Sequence, residues 1–139
     1  MPALPPKFDT IRLLIIEDNV AVRRALEAMA RELGFVDIRA TTSAMEALEM
    51  IEATTPSFDL ILCDWNMPGK NGLELLQALR LLHPALPFVM ITARSDPDSV
   101  MAAKHEGVTA YVRKPFTASE LKEKIKQALT ASATTKRSA

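Results

Sequence analysis

Five short apolar runs alternate along the chain with five stretches of helical periodicity, and this alternation limits the fold more than any other feature. Most of these runs are apolar at successive positions, as expected for strands that are covered on both faces. The predicted strands are Ile11–Ile16, Phe35–Ala40, Phe58–Asp64, Phe88–Thr92 and Val108–Arg113. Because parallel strands need crossover connections, strands that alternate with helices indicate a parallel sheet between two helix layers. The sequence therefore predicts a doubly wound α/β fold.

Residues that favour helix boundaries occur where this alternation requires them. Asn19 is a good N-cap for the first predicted helix. Asp96 and Pro97 have the signature of an N-cap followed by the first helical position. Thr117 and Glu120 have the spacing of a capping box before the last helix. These local signals support the helices independently of the apolar pattern.

The length of the chain fits one domain. A chain of 139 residues with 48% hydrophobic content is large enough to bury a core, but it leaves no room for a second folded domain. We expect the folded domain to span residues 11–130. Residues 1–10, which contain three prolines, are predicted to be a flexible arm. Residues 131–139 are small and polar, and they are predicted to be a disordered tail.

Composition argues against several classes of function. The 17 basic and 17 acidic residues balance, so no net charge favours nucleic acid or an anionic membrane surface. Cys63 is the only cysteine, which rules out an intramolecular disulfide. The sequence contains neither a membrane span nor the basic start and apolar core of a signal peptide. We therefore expect a soluble, cytoplasmic protein.

Polar side chains follow four of the predicted strands. Glu17 and Asp18 come after the first strand, Asp64 ends the third, Thr92 ends the fourth, and Lys114 follows the fifth. The carboxyl ends of parallel strands share one edge of the sheet, so these side chains should converge there. Clustered carboxylates repel one another unless a cation or a proton lies among them. Oxygen ligands of this kind suit Mg²⁺, and the lysine would face an anion held by the metal.

This combination of groups is the one that phosphoryl transfer requires. Catalysis of that reaction consists mostly of positioning and of neutralising charge on the phosphoryl oxygens. Asp64 is the natural nucleophile, because a carboxylate can carry a phosphoryl group as an aspartyl phosphate. Taken alone, Asp64 could equally be a turn aspartate, and Lys114 a solvated lysine. Their shared position with Asp18 favours the functional interpretation.

The same residues resemble the receiver domains of two-component response regulators, and in particular their single-domain, CheY-like type. The resemblance spans about residues 9–130, and its fold is flavodoxin-like, (βα)5, with strand order 2-1-3-4-5. The matching motifs are Glu17-Asp18, Asp64-Trp65-Asn66-Met67-Pro68, Thr92-Ala93, Tyr111 and Lys114-Pro115-Phe116. The resemblance therefore implies a signalling protein that is phosphorylated on an aspartate.

Roles for individual residues follow from the resemblance. It implies that Asp64 is the phosphoacceptor and that Lys114 pairs with the phosphoryl group. Asp18 and Asp64 would bind Mg²⁺ through their carboxylates, with the backbone carbonyl of Asn66 as a third ligand. Glu17 would act through a metal-bound water.

Further positions are implied to act as a switch. Thr92 would hydrogen-bond a phosphoryl oxygen, and Tyr111 would turn inward when Thr92 shifts. Asn66 and Arg94 flank the site and are expected to tune the lifetime of the phosphorylated form. Trp65 is predicted to be a partly exposed side chain beside the site.

The resemblance also implies partners. A histidine kinase or phosphotransfer protein would supply the phosphoryl group, and a downstream protein would bind helix 4, strand 5 and helix 5. Asp96-Pro97 stands where the best-known motor-binding regulators have two lysines, which argues against a flagellar motor. We expect a monomer or a weak dimer that forms on phosphorylation.

Three functions remain to be compared. The first is a stand-alone receiver that takes a phosphoryl group onto Asp64, switches partner binding and hydrolyses the adduct slowly. The second is a Mg²⁺-dependent phosphohydrolase with an aspartyl-phosphate intermediate, for which the sequence lacks a second acid just after Asp64 and a substrate cap. The third is a structural interaction module that retains a relic pocket. The first hypothesis accounts for the largest number of residues, and it makes the protein a switch rather than an enzyme with an external substrate.

Overall fold

The computed structural model describes residues 8–53, 57–67, 69–94 and 96–138, with side chains described as far as 131. Pro68 of the predicted site motif therefore lies outside the described residues. Five strands and five helices alternate along the chain, which confirms the predicted element order. The elements are β1 (Arg12–Ile16), α1 (Val20–Leu33), β2 (Asp37–Thr41), α2 (Ala44–Ala53), β3 (Leu60–Asp64), α3 (Gly72–Leu82), β4 (Phe88–Thr92), α4 (Pro97–His105), β5 (Ala110–Arg113) and α5 (Ala118–Ser138).

The strands form one parallel sheet in the order β2-β1-β3-β4-β5, as expected. Successive residues of a strand point to opposite faces, so the two faces of each central strand are buried against different helices. One core cluster contains Leu14 and Ile61 with residues of α2, α3 and α4. The other contains Leu13 and Leu62 with residues of α1 and α5. The doubly wound prediction is therefore confirmed.

The strand order determines where a site can form. The chain leaves β1 for β2 on one side, and then returns to β3 on the other side of β1. In open α/β sheets, ligands bind outside the carboxyl ends of the strands at such a reversal. Glu17 and Asp18 directly follow β1, and Asp64 is the last residue of β3. The three acids thus lie at the reversal point.

The flexible arm predicted for residues 1–10 ends earlier than expected, before Phe8. Residues 1–7 lie outside the described residues, but Phe8 is 3% exposed and belongs to the core. Its ring stacks on Phe35, with centroids 4.5 Å apart and planes 3° from parallel. Phe35 itself lies before β2, because its N–H bonds back to the carbonyl of Ala30 at the end of α1. Aromatic stacking therefore draws the chain into the core ahead of β1.

The carboxyl end also differs from the prediction. The backbone of α5 is helical to Ser138, whereas disorder was expected from residue 131. Residues 118–138 contain neither glycine nor proline, so nothing in the sequence ends the helix. The domain bounds 11–130 remain a prediction. No helix in the described part of the chain is long and apolar enough to cross a bilayer.

Gly72 marks the closest approach of α3 to the strand that carries Asp64. A Cβ at this position would lie 2.6 Å from the Asp64 carbonyl oxygen and 2.9 Å from both the Trp65 Cα and the Met90 Sδ. Backbone atoms cannot rotate out of the way, so any side chain would push the helix from the strand. The Gly72 N–H also donates to the Trp65 carbonyl at 2.9 Å. Gly72 therefore holds the turn that follows Asp64.

We expect Gly72→Ala to lower the free energy of unfolding by about 1–3 kcal/mol, the usual cost of overpacking a rigid contact. The urea midpoint, followed by circular dichroism, measures this loss. Glu49→Ala, at an exposed position of α2, is the control and should change stability by less than about 0.5 kcal/mol. Equal stabilities of Gly72→Ala and the wild type would contradict the predicted close contact.

Candidate functional site

Three carboxylates come together at the carboxyl edge of the sheet. One oxygen from each of Glu17, Asp18 and Asp64 lies within 4.8 Å of the others. Glu17 and Asp64 are 2% and 7% exposed, whereas Asp18 is open to solvent. The sequence prediction that these acids converge is confirmed. Two of the three are thus removed from most of the water that would stabilise their charges.

Lys114 places a positive charge beside this cluster. Its Nζ lies 3.3 Å from the Asp64 Oδ1. The Lys114 N–H donates to the Thr92 carbonyl at 2.8 Å, which fixes the residue at the end of β5. The Lys114–Pro115 peptide bond is cis. Lys114 therefore faces Asp64 from the β5 side of the sheet, as predicted.

The carboxyl group of Glu17 has an unusually high pKa. Burial raises the pKa of Glu17 to about 8, and a hydrogen bond to Asp64 and the negative charge of Asp64 act in the same direction. The ammonium of Lys114 opposes the increase. In the absence of a bound cation, the raised pKa therefore favours the protonated form of Glu17. The proton reduces the repulsion between carboxylates that the fold has forced together.

The donor atoms at this site fit a hard divalent cation. All three side chains offer oxygen, which is the ligand type that Mg²⁺ prefers. The Glu17 Oε2 is buried and has no hydrogen-bond partner among the described residues. A buried oxygen without a partner costs free energy unless a cation, a proton or a water satisfies it. The acidic cluster is therefore suited to a magnesium ion and its waters.

A second cluster, next to the acids, is centred on Arg94. The Arg94 Nη2 and Nε donate to the Asn66 Oδ1 at 3.2 and 3.4 Å. The guanidinium carbon lies 5.1 Å from the centroid of the Trp65 ring, in a cation–π contact. The Arg94 N–H donates to the hydroxyl of Thr92 at 3.0 Å. Arg94 thus joins the segment after Asp64 to the end of β4.

Tyr111 belongs to the same cluster. Its hydroxyl donates to the Arg94 carbonyl at 2.6 Å, and its ring meets Trp65 edge-on with centroids 6.3 Å apart. Burial raises the pKa of Tyr111, although its contact with the Thr92 hydroxyl lowers it in part. Tyr111 is half-buried, with its hydroxyl directed to the turn that follows Thr92.

The structure brings together most of the predicted site residues, but in two groups. Glu17, Asp18, Asp64 and Lys114 form the acidic cluster with its counter-charge, while Asn66, Thr92, Arg94 and Tyr111 form the Arg94 cluster. Thr92 is fully buried, and its hydroxyl is engaged by Arg94 rather than by Asp64.

Two features of the site were not predicted correctly. Trp65 is almost fully buried, at 5% exposed, whereas partial exposure was predicted; Arg94 packs over its ring and Tyr111 makes a T-shaped contact with it. The capping box of Asn71 and Glu74, which starts α3 just after the site, was missed. Its spacing in the sequence was the available signal.

Comparison with known proteins defines the class of this site. Residues 13–126 match the family model for the response regulator receiver domain. The match covers most of the chain, so the protein belongs to the response regulator receiver family, a family of two-component signalling switches. The predicted resemblance is therefore confirmed.

Particular relatives place the chain among the CheY-like members. It is 40% identical over 121 residues to chemotaxis protein CheY of Pseudomonas aeruginosa, covering 84% of this chain and 94% of the relative. It is 38% identical over 119 residues to CheY-3 of Vibrio cholerae, covering 83% and 88%.

Solved structures show the same fold. A receiver domain from Clostridium thermocellum has a TM-score of 0.80 at 25% identity, covering 87% of this chain and 95% of that one. A response regulator from Chloroflexus aurantiacus, described as putative, has a TM-score of 0.78 at 33% identity, covering 86% and 98%.

The raised pKa of Glu17 predicts how stability depends on pH when no divalent cation is present. Its folded-state pKa of about 8 lies above the ordinary value of 4.5. The stabilisation from this group is complete below the ordinary pKa, and it is lost as the pH rises through the folded-state pKa. The urea midpoint, measured in the presence of a chelator, should therefore decrease as the pH is raised from 4.5 to about 8.

Glu17→Gln should show a weaker fall, and Mg²⁺ should restore the wild-type midpoint at high pH. Glu49→Gln, on the exposed face of α2, is the matched control and should behave as the wild type. An unchanged pH slope in Glu17→Gln would show that another group causes the dependence.

Proposed function

We propose that this protein is a phosphorylation-dependent signalling switch, in which Asp64 accepts a phosphoryl group from the phosphohistidine of a kinase or phosphotransfer protein. The observation that carries the proposal is the position of Asp64. It ends a buried strand at the reversal point of the sheet, with Lys114 Nζ 3.3 Å from its Oδ1 and two further acids beside it. An Asp64 oxygen bonds to phosphorus as the P–N bond breaks, and the imidazole keeps the electron pair and takes up a proton.

The residues of the chain prepare Asp64 for this step. Lys114 offsets the negative charge of the acceptor before the reaction and of the phosphoryl oxygens after it. Its approach from β5 leaves the solvent side of the carboxylate to the donor. Because Asp64 is 7% exposed and follows a rigid strand, its carboxylate is held in place before the donor arrives.

Mg²⁺ is the proposed cofactor. Asp18 and Asp64 would hold it by their carboxylates and Asn66 by its backbone carbonyl, with Glu17 acting through a water. When bound, the ion neutralises charge on the phosphoryl oxygens. Glu17 must lose its proton for this role, and a nearby cation favours that loss by stabilising the carboxylate.

Thr92 and Tyr111 form the proposed switch. The Thr92 hydroxyl accepts a bond from the Arg94 N–H, and Tyr111 donates to the Arg94 carbonyl. A phosphoryl oxygen that accepted a hydrogen bond from the Thr92 hydroxyl would reorient the group to which the Arg94 N–H donates, and would move the turn that holds Tyr111. Phosphorylation would thus shift a two-state equilibrium.

The surface formed by α4, β5 and α5 is the proposed binding site for a downstream protein. Tyr111 lies on β5, and the turn at Arg94 leads into α4, so both ends of the switch adjoin this surface. The relatives named as chemotaxis proteins suggest the kind of pathway, although Asp96-Pro97 argues against a flagellar-motor target. We propose a monomer, or a weak dimer that forms on phosphorylation, that slowly removes its own phosphoryl group.

A direct test measures phosphorylation of Asp64. Incubation with Mg²⁺ and a small phosphodonor should add one phosphoryl mass, in an adduct that is stable in acid and labile in base. Asp64→Asn should abolish the adduct, because an amide cannot form it. Asp59→Asn, an exposed aspartate before β3, is the matched control and should be phosphorylated as the wild type. An adduct that persists in Asp64→Asn would overturn the proposal.

The lifetime of the adduct should depend on Arg94. Its guanidinium covers Trp65 and holds Asn66, and both residues directly follow Asp64 in the chain. Arg94→Ala should speed loss of the phosphoryl group by up to about tenfold, equivalent to roughly 1.4 kcal/mol in the barrier. Single-turnover decay after removal of the donor measures the rate.

Arg39→Ala, an exposed arginine on β2, should decay at the wild-type rate. Equal lifetimes of Arg94→Ala and Arg39→Ala would show that the Arg94 side chain does not shield the site.

A further inference from the structure

Helix α4 is packed differently from α3, its neighbour on the same face of the sheet. Its buried residues are the small Ser99 and Ala103, and Met101 is 63% exposed. By contrast, α3 buries Leu75, Leu76 and Leu79. Small side chains on the inner face of a helix provide few interlocking contacts that resist rotation or sliding. The position of α4 therefore depends mainly on how its two ends are fastened.

The carboxyl end of α4 is held by its own backbone. Gly107 has φ of 87° and donates to the Lys104 carbonyl, and Val108 donates to the Ala103 carbonyl, both at 3.0 Å. This pair of bonds is a Schellman motif. It satisfies the last carbonyls of the helix and directs the chain toward β5.

Arg80 on α3 fastens this end to the rest of the domain. Its Nε donates to the Gly107 carbonyl at 2.9 Å, and its Nη1 donates to the His83 carbonyl at 2.9 Å. Its Nη2 donates to the Thr109 hydroxyl at 3.1 Å, and the same hydroxyl accepts from the Phe88 N–H at 3.0 Å. One guanidinium thus joins the end of α3, the loop after α4 and the start of β4.

The positively charged guanidinium of Arg80 interacts with backbone carbonyls and not, among the residues described, with a carboxylate. Within the described part of the chain, no carboxylate forms a salt bridge with it. The carbonyls of His83 and Gly107 lie just beyond the ends of α3 and α4, where the partial charge of a helix is negative. Bonds from a charged donor to these carbonyls are stronger than bonds between neutral groups. An anion would be repelled by the same carbonyls, so the guanidinium serves as an anchor and not as an anion-binding site.

The other end of α4 adjoins the Arg94 cluster. Asp96 caps the helix by accepting from the Ser99 N–H at 2.9 Å, two residues after Arg94. The Arg94 backbone bonds both Thr92 and Tyr111. A displacement of this turn is therefore passed directly to the first turn of α4, whereas the last turn is tied to α3.

We propose that Arg80 is the fixed point about which α4 pivots, so that rearrangement at Thr92 and Tyr111 moves the amino end of the helix and leaves its carboxyl end in place. The anchor rests on the contacts of Arg80 alone. The trigger for the pivot rests on the function proposed above for Asp64. These two parts are tested separately.

Hydrogen exchange of the unphosphorylated protein tests the anchor. Arg80→Met should raise the exchange rates of the Glu106, Gly107 and Val108 amides by about tenfold or more, while amides of β1 and β3 keep their rates. Arg80→Lys, which retains the charge without the planar fork of donors, should give a smaller increase. Arg24→Met, an exposed arginine on α1, is the matched control.

Unchanged rates in Arg80→Met, or an equal increase throughout the sheet, would overturn the anchor. Arg80→Lys keeps the test decisive should Arg80→Met fail to fold, because wild-type rates around Gly107 in Arg80→Lys would also count against it.

Distance measurements test the pivot. Spin labels at Asp98→Cys or Lys104→Cys, each paired with Arg24→Cys, report on the two ends of α4, while Cys63 is buried and should remain unlabelled. Beryllofluoride with Mg²⁺, a mimic of the phosphoryl group, should change the distance to position 98 more than that to position 104. In Arg80→Lys, both distances should change.

Equal movement of the two labels in the wild-type background would overturn the pivot, as would the absence of movement at position 98. The phosphoryl adduct on Asp64 is measured by mass and does not depend on this outcome. Failure of the pivot is therefore distinguishable from failure of the proposed function.

Discussion

The arrangement of Asp64 and Lys114 depends on a constraint that the parallel sheet imposes. Parallel strands deliver their carboxyl ends to one edge, and three of the residues delivered there are acids. Mutual repulsion of these acids in a partly dry environment would work against folding if all of them were ionised. Lys114 offsets part of the charge, and the raised pKa of Glu17 favours its uncharged form. Both effects reduce the repulsion within the site, and a bound cation would reduce it further.

The acidic cluster and the Arg94 cluster differ in their chemical groups. The acidic cluster has charges that respond to a cation or an anion, whereas the Arg94 cluster is built from one guanidinium, two aromatic rings and neutral oxygens. Trp65 and Asn66 directly follow Asp64 in the chain, so chemistry at the acid cannot occur without contact with the second cluster. A continuous series of bonds thus connects Asp64 to the turn that precedes α4.

The doubly wound fold class and the acidic cluster were predictable because they depend on local sequence patterns, whereas the strand order came from the family resemblance. Apolar runs and capping residues specify the elements, and parallel topology then places Asp18, Asp64 and Lys114 at one edge. The position of Arg94 was not predictable, since a long side chain has many rotamers and its choice of Trp65 and Asn66 depends on tertiary packing. The burial of Trp65 follows from that choice. The close contact at Gly72 and the junction at Arg80 likewise depend on how helices approach strands, which local sequence does not specify.

Trp65 has a further consequence for experiments on this protein. It is the only tryptophan in the sequence, so all indole emission comes from this one residue. The guanidinium of Arg94 packs over its ring, the ring of Tyr111 makes a T-shaped contact with it, and the chain bonds it directly to Asp64. A cation stacked on an indole and a phenol beside it both affect the excited state. Intrinsic fluorescence therefore provides a label-free optical signal from the centre of the site, and rapid-mixing kinetics are accessible in the unmodified protein.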